Sequence, residues 1–208
     1  MKHNALIATL GTTLISTLAQ ASLIQNGGFE STTFNINAFT PNLNVPGWGP
    51  IPGGFNGNAG PIWPSAIEGN QFADIGNAIG PVVSQAFSVA SGGTYSLKWS
   101  ENTGYYGDNR AGNSPYLVTV TGSSGTIFSQ TFDAYNYGVW ENLTQSLSLA
   151  SGAYTLSFSP HGVYGGYDSL IDAVSISTPD HTSTAAALGG SVVALGFASR
   201  RLRRSLPA

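Results

Sequence analysis

Cysteine is absent from this chain of 208 residues, which excludes disulfides and thiolate metal sites as sources of its stability. Packing, backbone pairing or an oxygen-ligated ion must hold it instead. Cations are almost as scarce: between Ser22 and Asp180 only Lys98 and Arg110 stand against ten carboxylates. So acidic a body is a poor match for nucleic acid, whose binding rests on neutralised phosphates. No segment of the body carries a helical period. Disorder does not follow, because aromatic and β-branched residues are plentiful. Gly, Ser, Thr and Asn abound instead, the composition of exported bacterial β-domains.

The two ends carry the apolar runs. Lys2 and His3 precede an apolar stretch from Ala5 to Leu18 and then Ala19-Gln20-Ala21, a small-x-small cleavage pattern; residues 1–21 therefore read as a signal peptide, with the mature chain starting at Ser22. At the other end, Pro179-Asp180 and a Ser/Thr spacer lead into an Ala/Gly-rich run closed by Arg200, Arg201, Arg203 and Arg204. As a helix, 185–198 would reach about 21 Å at 1.5 Å per residue, short of the ~30 Å hydrocarbon core. The arginines supply cytoplasmic retention, so the segment reads as a temporary anchor in the inner membrane. About 155 residues remain between the ends, one domain's worth. The division is 1–21 signal peptide, 22–177 β-domain and 178–208 C-terminal signal.

Within the body, short alternating runs are separated by turn residues. Val83, Gln85, Phe87 and Val89 are followed across Ser91-Gly92-Gly93 by Tyr95, Leu97 and Trp99; Tyr116, Val118 and Val120 by Phe128 and Phe132 across Ser123-Ser124-Gly125; Leu143, Leu147 and Leu149 by Tyr154, Leu156 and Phe158 across Ser151-Gly152. This spacing predicts hairpins, a last strand over Leu170–Ser177, and an all-β jelly-roll sandwich of two antiparallel sheets. Two weakly patterned stretches, 31–68 and 101–114, are rich in Gly, Asn, Pro and aromatics and read as long functional loops.

The tail resembles C-terminal sorting signals of the PEP-CTERM class, in the variant with a Val-Pro-Asp-Ser-Gly type motif. The matching residues are Pro179, Asp180, Ser183, Thr184, Leu188, Gly189 and the terminal arginines; Thr178 and His181 depart from the pattern. That resemblance implies an exosortase-type processing enzyme as partner, a Gram-negative host, and delivery to the cell surface or matrix after transient inner-membrane anchoring. An ordinary C-terminal membrane anchor is the alternative.

The body resembles galactose-binding-like jelly-rolls, through Asn26-Gly27-Gly28-Phe29-Glu30, then Pro46-Gly47-Trp48, and finally Ile171-Asp172-Ala173-Val174. Such modules often tie first strand to last with structural calcium, held by the glutamate of the opening motif and the aspartate of the closing one. The residues suggest the same independently. Alternation puts Leu170, Asp172, Val174 and Ile176 on one inward face, and a buried carboxylate needs partners. Calcium held by Asp172, Glu30 and backbone carbonyls near Asn26 and Gly28 would serve; so would backbone N–H groups or Arg110.

Three functions remain. Aromatic faces stack on sugar rings, which makes Trp48, Trp63, Tyr105 and Tyr106 candidate carbohydrate contacts, although Trp48 lies in a fold motif that is more often core. Trp99 and Trp140 fall in strand patterns and read as core. The second function is a purely structural surface or matrix protein without a specific ligand. Catalysis is the weakest: no hydrolase signature surrounds any carboxylate pair, no G-x-S-x-G elbow exists, and His161 reads as a solvated turn residue. The sequence therefore points to a non-catalytic, carbohydrate- or exopolysaccharide-associated protein.

Overall fold

The computed structural model describes residues 22–30, 39–56, 64–76, 82–105, 113–135, 138–161 and 167–178. All of them belong to one compact unit, Ala21–Pro179. The expected signal peptide over 1–21, the run 185–198, Pro179, Asp180 and the four terminal arginines lie outside the described residues. Among those described, no helix is long and apolar enough to cross a membrane.

The fold is an all-β jelly-roll sandwich. The strands are β1 (Phe39–Val45), β2 (Gly49–Asn56), β3 (Gln71–Asp74), β4 (Val83–Val89), β5 (Gly93–Tyr105), β6 (Ser114–Gly122), β7 (Gly125–Ala134), β8 (Glu141–Leu149), β9 (Gly152–Pro160) and β10 (Tyr167–Ser177). One sheet has the order β1-β2-β3-β10-β5-β8 and the other β4-β9-β6-β7. All pairings are antiparallel.

Of the three expected hairpins only β6–β7 pairs with itself. β4 and β5 belong to opposite sheets, and so do β8 and β9, so Ser91-Gly92 and Ser151-Gly152 turn the chain across the sandwich. Periodicity marks strands but not which sheet each joins. Each crossing is pinned alike: the Tyr95 hydroxyl donates to the Ser91 carbonyl at 2.7 Å and the Tyr154 hydroxyl to the Ala150 carbonyl at 3.0 Å.

The stretch 31–68 is also less loop than expected. It contains β1 and β2, joined at Pro46-Gly47-Trp48, where Gly47 and Gly49 have φ of +91° and +73°. Pro41 in β1 and the prolines and glycines of β2 mask the alternation. Pro41 is tolerated because β1 is an edge strand.

Rings run through the interior from Phe29 to Trp48 (4.7 Å between centroids), to Phe158 (6.2 Å), to Trp99 (6.1 Å) and to Phe132 (4.9 Å, edge-on). Ile51, Leu97, Val118, Leu156 and Ile176 fill the space around them.

The expected register of the last strand is corrected by a β-bulge. Leu170, Ile171 and Asp172 pair with Asn102, Glu101 and Ser100, but the next pair is Ser175 with Lys98, and Ala173 at the irregularity has φ +52°. An added residue shifts the phase of alternation. Ile171, Val174 and Ile176 enter the core; Leu170 and Asp172 face the other side of the sheet, where both are fully buried.

Candidate functional site

The opening motif folds into a knot against the last strand. Asn26 (φ +52°) and Phe29 (φ +55°) turn the chain. The Asn26 amide donates to the carbonyls of Glu30 (2.9 Å) and Pro46 (3.0 Å), its Oδ1 accepts the Glu30 N–H (2.8 Å), and its backbone carbonyl accepts the Trp48 indole N–H (2.8 Å). Val174 N–H donates to the Gly27 carbonyl at 3.0 Å. A Cβ on Gly27 would sit 1.9 Å from the Val174 oxygen, so the Asn-Gly pair is required by a close approach of backbones.

Two carboxylates from opposite ends of the body hold one turn. Asp172 Oδ2 accepts the N–H groups of Ile67 (2.8 Å) and Glu68 (3.1 Å), while Glu30 Oε1 accepts those of Asn70 (2.7 Å) and Gln71 (2.9 Å). Burial pushes the Asp172 carboxyl up to about 7, against the lowering effect of its backbone donors. Backbone donors to Asp172 were one of the open expectations, and they are what the structure contains; Arg110 lies outside the described residues. The same donor set fits a hard cation in its chemistry. Lys98 is the one Lys or Arg among the described residues, set against eight carboxylates, and a carboxylate has about four lone-pair sites over its two oxygens, more than the backbone donors of Glu30 or Asp172 fill. Among the described residues no three acidic or imidazole side chains converge on one point, so a bound ion would draw on carbonyls near Asn26 and Gly28.

On the outer face of the six-stranded sheet lies a second set that sequence reading missed. Asp74 on β3 and Asp168 on β10 are 4% and 5% exposed, on adjacent strands where Leu170 opposes Asp74. Burial, with Asp168 adding to it, pushes the Asp74 carboxyl well above the ordinary range; burial pushes Asp168 up to about 6. Asn102 stands opposite Leu170 on the neighbouring strand. Its Oδ1 accepts the Gly138 N–H at 3.1 Å, but its buried Nδ2 has no hydrogen-bond partner. Phe72 is buried on this face and meets Trp140 edge-on at 5.6 Å, and the Trp140 indole donates to the Ser65 carbonyl. Trp140 therefore roofs the outer face and does not enter the sandwich interior. The strand pair ends where Tyr105 of β5 opposes Tyr167 of β10, directly after Gly104 opposite Asp168. Further along the same face a cleft is lined by Lys98, Ser100, Asn142, Thr144, Ala173 and Ser175.

The third polar group points inward. Trp99 N–H donates to the Tyr116 hydroxyl (2.7 Å), which donates to the Glu101 carboxylate. Burial, opposed by the Tyr116 hydrogen bond and reinforced by Glu141 and Asp133, pushes Glu101 up to about 7. Glu101 and Glu141 are directly opposed on β5 and β8. Burial and Glu101 push Tyr116 well up in turn.

The four aromatic candidates do not form one set. Trp48 is 2% exposed, locked by its bond to Asn26 and by its ring contacts with Phe29 and Phe158, so it has no face to offer a ligand. Tyr105 is placed by its backbone at the end of β5; Trp63 and Tyr106 lie outside the described residues. His161 is exposed, and its backbone N–H donates to Pro115. Asp74, Asp168 and Asn102 escaped sequence reading because a single polar residue within a strand carries no mark of which face of the sheet it occupies.

No family model and no curated protein matches this chain. Solved structures do. It is similar to TmCBM61 in complex with β-1,4-galactotriose, at 14% identity and a TM-score of 0.51 over 76% of this chain and 99% of that one. A structure described as "CBM4 structure and function" has 18% identity and a TM-score of 0.45 over 75% and 99%. A carbohydrate-binding module, CBM36, in complex with calcium and xylotriose, has 15% identity and a TM-score of 0.37 over 50% and 78%. The likeness to TmCBM61 establishes the jelly-roll class.

Proposed function

We propose that this is an exported, non-catalytic module that binds polysaccharide at the end of the sandwich where β5 ends and β10 begins. One observation carries the reading: the register sets Tyr105 opposite Tyr167 beside Asp168, on a sheet whose outer face also holds Asp74 and the unpartnered amide of Asn102. Tyrosine rings can stack on pyranose faces, at ~0.5–1.5 kcal/mol each beyond area burial, while carboxylates and an amide collect hydroxyls. The solved neighbour with galactotriose adds support of a general kind. Tyr106 and Trp63 complete the proposed aromatic set, and calcium between Glu30 and Asp172 would stiffen the base of the domain. The inward Glu101, engaged by Tyr116, favours a structural role for that carboxylate over a catalytic one.

Export and sorting belong to the same proposal. The signal peptide delivers the chain, the arginine-flanked tail retains it transiently in the inner membrane, and an exosortase-type enzyme processes it near Pro179-Asp180 for release to the surface or matrix. Mass spectrometry of the surface form is expected to show a C-terminus upstream of Arg200; an intact tail ending beyond Arg204 overturns this.

The test of binding is a glycan array with calcium and with chelator. Binding that Tyr105→Ala or Tyr106→Ala abolishes is the expected result. Silence from a folded sample would leave a structural matrix protein, a reading favoured by the outer face of the four-stranded sheet, where Ser84, Ser157, Thr119 and Ser129 form one uncharged row.

A further inference from the structure

The strand β7 closes one edge of the four-stranded sheet, and among the described residues no strand pairs with its far side. Edge strands are usually protected by shortness, lysine or proline, because an open ladder invites another chain. β7 lacks all three. It has ten residues, against seven in β1, nine in β8 and seven in β4, the other three edges, and its sequence Gly-Thr-Ile-Phe-Ser-Gln-Thr-Phe-Asp-Ala carries one charge, Asp133, near its end. Ser129, Gln130 and Thr131 are exposed, Phe128 and Phe132 only half-buried, and Ile127 is 42% exposed.

The centre of this edge, Phe128-Ser129-Gln130-Thr131-Phe132, reads almost identically in both directions. That property matters for one partner in particular. A two-fold interface brings the same patch of two subunits together, and an antiparallel strand pair sets residues of like face opposite one another. With Gln130 on the axis, Phe128 opposes Phe132 of the second copy on the inner face and Ser129 opposes Thr131 on the outer face. Asp133 opposes Ile127, so no charge meets its like. Moving the axis by one residue sets Gln130 against an aromatic ring and loses the match. The edge of the other sheet repeats the pattern as Leu143-Thr144-Gln145-Ser146-Leu147 in β8, with the apolar residues again toward the core and the hydroxyls outward.

We infer that β7 is a homotypic docking strand, through which two copies of this chain join antiparallel about Gln130 to make one continuous sheet. The half-buried phenylalanines then become interior, and the open ladder is satisfied. A module that also held polysaccharide would thereby cross-link it.

The absence of cysteine makes a direct test clean. Opposed Cα atoms in an antiparallel pair lie ~4.5–5.5 Å apart, inside the range a disulfide spans. Full-length chain carrying Gln130→Cys, oxidised and run on a non-reducing gel, is expected to give at least tenfold more covalent dimer than Ser157→Cys, which lies on interior strand β9. Co-expressed Ser129→Cys and Thr131→Cys chains should cross-link to each other more than either does to itself. Dimer from Gln130→Cys no greater than from Ser157→Cys overturns the proposal. Sedimentation gives a readout without cysteine: the unsubstituted chain is expected to be dimeric and Thr131→Lys monomeric, with unchanged circular dichroism. A monomeric unsubstituted chain, or an equally dimeric Thr131→Lys, overturns it as well.

Discussion

Glu30 and Asp172 hold the two ends of the same turn: Asp172 takes the N–H groups of Ile67 and Glu68, and Glu30 those of Asn70 and Gln71. The opening motif and the last strand are thus tied through a third segment as well as directly through Gly27 and Val174. Two carboxylates employed this way, Glu30 half-buried and Asp172 fully buried, bring acidic groups together at low solvent exposure.

Calcium should therefore stabilise the protein. With Kd values of ~10⁻⁴–10⁻³ M, usual for extracellular modules, 10 mM calcium would contribute about 2 kcal/mol and raise Tm by roughly 5 °C. Thermal melts in calcium and in chelator check this, and Asp172→Asn should remove the difference. Identical melting of the unsubstituted protein in both rules the ion out.

Stability should fall as pH rises from about 4.5 to 7. Glu101 titrates near 7 in the folded protein and at its ordinary 4.5 when unfolded. Between those values the folded state holds a proton that the unfolded state has lost, so raising pH favours unfolding, and the effect levels off above 7. Tyr116 donates to the carboxyl, and the charges of Glu141 and Asp133 raise it further; Asp168, near 6, acts in the same direction. Glu101→Gln keeps an acceptor for Tyr116 and removes the titration. It should stabilise the protein at pH 8 by on the order of 2 kcal/mol, leave it nearly unchanged at pH 4, and make the profile shallower, the remaining slope coming from Asp168 and Asp172. Urea unfolding across that range is the measurement; an unaltered slope for the variant refutes the assignment.

Gly27→Ala should cost on the order of 3 kcal/mol, because the added methyl meets the Val174 backbone oxygen at 1.9 Å and neither partner is a movable side chain. Gly93→Ala, where nothing lies within 4 Å, is the matched control and should change Tm little. Equal melting of the two variants would show that the opening knot yields.

Alternation made the β-class and most strands readable, since one buried face imposes a period of two; Val83 to Val89 and Tyr116 to Val120 are plain examples. Sheet membership was not readable, because Ser-Gly serves a hairpin and a crossing equally well. β1 and β2 stayed hidden because their prolines and glycines interrupt the pattern. The opening and closing motifs pointed to Asn26, Glu30 and Asp172 as one assembly, and the structure does bring Glu30 and Asp172 onto one turn. The acidic pair on the outer face gave no signal, for an isolated Asp in a strand looks alike on either side.

The bulge at Ala173 acts as a phase shifter within a single strand. Even-numbered residues before it, Leu170 and Asp172, answer to the outer face and even-numbered residues after it, Val174 and Ile176, to the core, so a position's tolerance to substitution changes at that point without any change in composition. Polar replacements at Leu170 would be felt beneath the loops of the outer face, whereas the same replacements at Ile176 would be felt between the sheets. Loss of one residue there would exchange the two sides from that point onward, turning Val174 and Ile176 toward the loops and Ser175 toward the rings of the core. The strand carries two sets of constraints, and the left-handed alanine is where one hands over to the other.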